Sequence, residues 1–193
     1  MAEMAIKGTI HELGHALGLP HIGPKDSDKL GNSLMGPVNK AYWSKKNSQD
    51  HRVYLSEASA AMLWKHPLFS GTTKNLAKTP KVTLVNCQAV YKKQDDYVEV
   101  TGKVEADVPV HSVIVAEKYQ GMSGYWTKTF ASRIAQNGTF SVKIDDLAKK
   151  EGCLKIIFCC NNGAIVGETG KRGFDNGFSK PYQYDNGTFI FTE

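Results

Sequence analysis

The sequence predicts an α+β chain in two parts, a small helical part and an antiparallel β-sandwich that follows it. The first seventy or so residues contain two stretches of helix-forming residues and a group of three histidines. From residue 82 onward, short segments alternate apolar and polar residues between Asn-Gly turn signals, a pattern typical of half-buried antiparallel strands. We place the helical part at residues 1–69, a linker at 70–81, the sandwich at 82–170 and an aromatic tail at 171–193, packed on either part.

The first predicted helix, residues 2–17, is rich in alanine, leucine, methionine and glutamate, which favour helix. It carries His-Glu-Leu-Gly-His at 11–15, so two imidazoles four residues apart lie on one face and can bind one ion. Gly18 can turn the chain sharply where the helix ends, because glycine adopts positive φ freely. That turn would return His21 as a third nitrogen ligand. Glu12, next to the first ligand, is placed to act as the general base on a metal-activated water.

The stretch HELGHALGLPH, residues 11–21, resembles the HExxHxxGxxH signature of the metzincin zinc endopeptidases at every fixed position. Residues 32–37, Asn-Ser-Leu-Met-Gly-Pro, resemble the methionine turn of that family. The resemblance, which covers residues 5–66, implies a small helical metzincin-like subdomain that hydrolyses peptide bonds in a peptide or protein substrate. It implies Zn²⁺ as the cofactor, with Met35 as an apolar floor below the ion. The implied zinc ligands are His11, His15 and His21.

One departure from the family concerns the residue two positions after the methionine. Several metzincin branches carry a tyrosine there, where it can contact the transition state, whereas this chain has Pro37. Tyr42 is the candidate to replace that tyrosine, and a role in core packing or as a wall of the cleft is the open alternative. Without it, oxyanion stabilisation would rest mainly on zinc.

Very little chain precedes the metal-binding helix, where a metzincin catalytic domain normally has a mixed sheet that holds the substrate. We therefore expect the chain to be the lower half of a longer catalytic domain, with the N-terminal half missing or supplied by an oligomer partner. A second hypothesis is a non-catalytic binding or adhesion module with a vestigial or structural zinc site. We expect the full-length protein to be secreted or periplasmic, although this sequence contains no signal peptide.

The charge distribution and the hydropathy argue against nucleic acid and membrane as partners. The net charge is +5 and the pI is near 8.9, but the lysines are scattered, which favours a solvated surface over a nucleic-acid groove. No apolar run approaches the roughly 18 residues needed to span a bilayer.

Cysteines at 87, 153, 159 and 160 lack CxxC spacing, so no second zinc site is predicted. One disulfide between Cys87 and one of the other three, and free buried thiols, are the two open alternatives.

The second predicted helix covers residues 55–66, with Ser56 as its N-cap and Pro67 ending it. His66 falls in its last turn, where a cation suits the helix dipole.

The predicted strands are 82–90, 97–104, 110–119, 125–133, 139–144 and 153–159. Their number and spacing predict an immunoglobulin- or fibronectin-like sandwich. Two turns in the aromatic tail suggest a last pair of strands.

Overall fold

The structure is a computed structural model of the 193-residue chain, and it describes residues 2–25, 30–36, 53–122, 126–168 and 174–192. The chain is mostly β with antiparallel sheets. Pro37 and Tyr42 lie outside the described residues. Within the described ranges, no helix has the length and apolar character needed to cross a membrane.

Three helices lie in the N-terminal part of the described chain: α1 (Ala2–Ala16), α2 (Glu57–Trp64) and α3 (Pro67–Ser70). Ser56 caps α2 as predicted, because its Oγ accepts a hydrogen bond from the Ser59 amide at 3.2 Å. The prediction for His66 is wrong. It lies beyond the end of α2 and caps α3, where its Nδ1 accepts from the Leu68 amide at 3.4 Å. The reason is that Pro67 cannot continue α2 but suits the first turn of a new helix.

The strands follow in chain order. They are β1 (Asn32–Ser33), β2 (Val53–Tyr54), β3 (Val82–Lys92), β4 (Tyr97–Ala106), β5 (Val110–Tyr119), β6 (Thr129–Arg133), β7 (Thr139–Ile144), β8 (Gly152–Cys160), β9 (Ile165–Val166), β10 (Phe178–Asp185) and β11 (Thr188–Phe191). A short 3₁₀ helix, Phe174–Asn176, precedes β10. The tail therefore ends in a pair of strands, and β10 pairs with β8.

Strands β3 to β11 form two facing antiparallel sheets. One has the order β3-β4-β7 and the other the order β11-β10-β8-β5-β6, with β9 also paired to β8. Two antiparallel sheets that enclose one core give a β-sandwich-like domain. The immunoglobulin- or fibronectin-like type of the sandwich stays a prediction. The core between the sheets includes Val98, Val100, Val142, Val113, Val115, Ile156 and Phe158.

Strands β5 and β8 depart from the predicted half-buried pattern. The pattern holds for β7, in which exposed and buried residues alternate, but the centre of β5 and the second half of β8 are buried without interruption. The cause is that their sheet is covered on both faces, as in buried sheets generally. Val113 and Val115 belong to the core of the sandwich, whereas Ile114 and Ile157 belong to a second core.

The second core joins the two parts of the chain. On the side of the helical part it contains Ile22, Met35 and Met62, packed with Ile114 and Ile157 of the sheet. Each of these five residues is at most 4% exposed. We call this group, with the other residues of the same cluster, the shared core. The helical part and the sandwich are therefore held together by apolar packing as well as by the chain.

All four cysteines are free thiols in the structure, and Cys159 and Cys160 are buried. Burial raises the pKa of Cys160 to about 12, so this thiol stays protonated in the folded chain. Of the two alternatives left open by the sequence, the structure has the free thiols.

Candidate metal centre

The end of α1 sets the geometry of the centre. Gly18 has φ +83°, and its amide donates to the His15 carbonyl at 2.9 Å while the Leu19 amide donates to the Gly14 carbonyl at 3.0 Å. These two bonds define a Schellman motif, which needs a left-handed residue at the position of Gly18. The predicted turn at Gly18 is confirmed, and it directs the chain back toward α1 at His21.

The structure brings the three predicted histidines together. Nε2 of His15 lies 3.1 Å from Nε2 of His11 and 3.0 Å from Nε2 of His21. The ring of His15 stands at 89° to both other rings, and all three residues are partly buried. One nitrogen from each ring can thus reach a common point. Their role as zinc ligands stays a prediction.

The donor atoms fit a zinc ion. Zinc held at about 2.0–2.1 Å by tetrahedral imidazoles separates their nitrogens by about 3.3–3.4 Å, slightly more than the distances found here. Nδ1 of His11 lies 2.7 Å from the Leu34 carbonyl oxygen, and Nδ1 of His15 lies 2.9 Å from that of Leu19. A carbonyl only accepts, so each Nδ1 donates its proton to that oxygen, and in a neutral ring of this tautomer Nε2 presents a lone pair. Converging lone pairs repel one another, and a cation that prefers imidazole relieves that repulsion.

The environment of the His21 ring favours its neutral form. Burial, and then the charges of His15 and His11, lower the pKa of His21. The charge of Glu12 acts in the opposite direction on the same pKa, so its carboxylate lies within electrostatic reach of His21. Glu12 itself is exposed on α1, directly after His11. An exposed carboxylate beside the histidine cluster is accessible to water.

Met35 packs directly below α1. It is fully buried, and a methyl group added at Gly14 would collide with its Sδ and lie 3.1 Å from its Cε. The turn around Met35 is closed by the Gly36 amide, which donates to the Ser33 carbonyl at 2.8 Å. The Met35 carbonyl accepts from the Ile22 amide at 3.0 Å. This turn therefore contacts both the helix and the segment that carries His21.

Sequence analysis missed one aromatic residue of the site. Trp126 packs its ring against that of His21, with centroids 5.4 Å apart and planes at 75°. The predicted strand 125–133 is wrong at its start, since β6 begins at Thr129 and Thr127 instead forms an isolated parallel bridge with Ile22. No local sequence signal connects Trp126 to a histidine more than a hundred residues away.

Solved structures of OgpA from Akkermansia muciniphila share this fold. A wild-type structure matches 97% of the chain with a TM-score of 0.72 and 24% sequence identity. A catalytically inactive OgpA in complex with an O-glycopeptide (glycodrosocin) substrate matches 83% with a TM-score of 0.64 and 24% identity. The chain spans about half of each, 50% and 46%. No protein-family model matches the chain, and no curated protein matches its sequence.

Proposed function

We propose that this chain carries the metal centre of a metzincin-type zinc endopeptidase. The observation that carries the proposal is the convergence of three imidazoles on and just after one helix, with Nε2 of His15 3.0–3.1 Å from the other two Nε2 atoms. The ligands would be His11, His15 and His21. The fold shared with OgpA, which has been crystallised with an O-glycopeptide substrate, supports a peptide substrate, and O-glycopeptides are the first substrates to test.

The roles of the chain's own residues follow from their positions. When bound, zinc would polarise the scissile carbonyl and acidify a water in the fourth position. Glu12 would accept a proton from the attacking water and return it to the leaving amine. The carbonyls of Leu34 and Leu19 hold two of the rings with Nε2 inward. Met35 would form the apolar floor.

The test combines metal analysis with cleavage. Purified wild type should contain about one zinc per chain, as a three-histidine site implies, and His21→Ala should lose it. Glu12→Gln should keep the zinc but cleave O-glycopeptides and unstructured proteins about 10²–10⁴-fold more slowly, because it lacks the general base. The matched control is Glu105→Gln, an exposed residue of β4 paired with Lys103, which should leave cleavage unchanged. A zinc-free wild type under metal-replete conditions would contradict the proposal.

A second candidate function is a non-catalytic binding module with a structural zinc site. It is favoured by the exposure of Ile10 and Leu13 on α1, 42% and 54%, because apolar residues on a helix face usually pack against a neighbouring element. A partner protein or a second copy of this chain would cover them. One zinc per chain, together with no cleavage by wild type, would favour this candidate over the enzyme.

A further inference from the structure

The loop before β6 reaches the metal centre from the sandwich. The Gly23 amide donates to the Thr127 carbonyl at 3.0 Å, next to the parallel bridge between Ile22 and Thr127. Trp126, the preceding residue, places its ring against that of His21. The segment that carries the third histidine thus runs along an edge of the sandwich.

This contact is more important for His21 than for the other two histidines. His11 and His15 lie on α1, whose backbone is held by its own hydrogen bonds. His21 lies outside α1, between the turn at Gly18 and the bridge of Ile22 to Thr127. It is followed by one amide bonded to Met35 and a second bonded to Thr127. The position of the third ring therefore depends on residues far away in the sequence.

The ring of Trp126 supplies an orientation as well as a position. Aromatic rings prefer an edge-to-face arrangement, and the 75° angle between the indole and imidazole planes is of this kind. The approach is close, since a methyl group added at Gly23 would lie 3.1 Å from Cβ of Trp126. A ligand ring must be held within a narrow range of angles to direct its lone pair at an ion.

We propose that Trp126 is a positioning residue of the metal centre, which holds the His21 imidazole with Nε2 directed at the ion. The sandwich is then a part of the metal centre and not an appended module. This inference rests on the proposed zinc site and goes beyond it, because it assigns a role to a residue outside the histidine motif.

The test compares tryptophan variants by their zinc affinity, measured by competition with a chromogenic chelator. Trp126→Ala removes the ring and should weaken zinc binding about tenfold, the low end of the effect of outer-shell partners. Trp126→Phe keeps an aromatic edge and should restore most of that affinity. Trp64→Ala is the matched control, because Trp64 is 54% exposed on α2 and stacks with Arg133. It should bind zinc as wild type does.

A second pair of variants keeps the test independent of the folding of Trp126→Ala. Gly23→Ala pushes the His21 segment away from Trp126 by a few tenths of an ångström and should also weaken zinc binding. Gly8→Ala adds a methyl group to α1 with nothing within 4 Å and should not. With cobalt(II) in place of zinc, the visible absorption spectrum reports the ligand geometry. It should shift in Trp126→Ala and Gly23→Ala and stay unchanged in both controls.

The outcomes separate this proposal from the zinc site itself. Wild-type zinc affinity and an unchanged cobalt spectrum in both Trp126→Ala and Gly23→Ala would overturn the role of Trp126 and leave the zinc site intact. A wild-type chain that binds no zinc would overturn both. Weaker zinc binding in these two variants, with recovery in Trp126→Phe, supports the proposal.

Discussion

Gly14 offers the sharpest test of the packing below the metal centre. In a helix interior, alanine is normally more stable than glycine by about 1 kcal/mol. At Gly14, however, the added methyl group would collide with Sδ of Met35, which is fully buried in the shared core. Because the thioether has little free space, we expect Gly14→Ala to destabilise the chain.

The expected magnitude comes from two opposing terms. Overpacking of a core costs about 1–3 kcal/mol, and the helix propensity of alanine returns about 1 kcal/mol. The net loss is therefore about 1 kcal/mol. For a chain of this length, the melting temperature should fall by about 2–4 °C. Gly8→Ala, in the same helix but with nothing within 4 Å of the new methyl group, should instead gain about 1 kcal/mol.

The assay is urea unfolding with a chelator present, because bound metal would add its own contribution to the free energy of unfolding. The difference between Gly14→Ala and Gly8→Ala, about 2 kcal/mol, measures the collision. Gly14→Ala is then repeated in a chain that also carries Met35→Ala. Met35→Ala alone should cost about 2–5 kcal/mol of stability, and with the thioether removed Gly14→Ala should become stabilising. Equal stabilisation by both glycine substitutions, or the same cost of Gly14→Ala with and without Met35, would refute the reasoning.

Two further predictions concern the sandwich. Burial, with Arg133 and Lys65 nearby, lowers the pKa of His111 from 6.5 to about 4, so the unfolded chain takes up this proton at a higher pH than the folded chain. Stability should fall as pH drops from about 6.5 to 4, by about 1–3 kcal/mol after allowance for solvent screening, and His111→Gln should lose less in urea unfolding. The same pH dependence of stability in wild type and in His111→Gln would contradict this role of His111. Ile157→Ala removes a fully buried side chain of the shared core and should lower the free energy of unfolding by about 2–5 kcal/mol. Ile190 is 47% exposed on β11, so Ile190→Ala should change it by less than about 0.5 kcal/mol. Similar losses in both variants would contradict a shared core.

The convergence of the three histidines could be predicted because it depends on local geometry. Helix periodicity places His11 above His15, and a Schellman turn at Gly18 returns the chain within a few residues to His21. Each of these steps involves neighbours in the sequence, whereas the bond from Gly23 to Thr127 just after His21 is a long-range contact that the sequence does not predict. The close packing of Gly14 against Met35 is identified by the structure.

The error at His66 was local and avoidable. Pro67 ends α2, but proline is also common in the first turn of a helix, where its missing amide hydrogen is not needed. His66 directly precedes this proline and is therefore the N-cap of α3, where its ring accepts a hydrogen bond from the Leu68 amide.

The covered outer face of the sandwich could be predicted only in part. The nearly continuous apolar runs of β5 and β8 are typical of strands buried on both faces, so the sequence did contain the sign of a second layer. It did not contain the identity of that layer. Ile114 and Ile157 pack with Ile22 and Met35, and such long-range contacts leave no periodic pattern in the sequence.

This shared packing changes how the sandwich relates to the metal centre. Ile22 lies in the shared core and directly follows His21, while its neighbour Gly23 is bonded to Thr127 of the sandwich. Opening the shared core would therefore release His21, the proposed third ligand, even with α1 intact. The converse follows from thermodynamic linkage, because a zinc ion that binds only the assembled site stabilises everything required to assemble it. At a free zinc concentration of 100 times Kd this is about 2.7 kcal/mol, and it would act on the sandwich as well as on the helices.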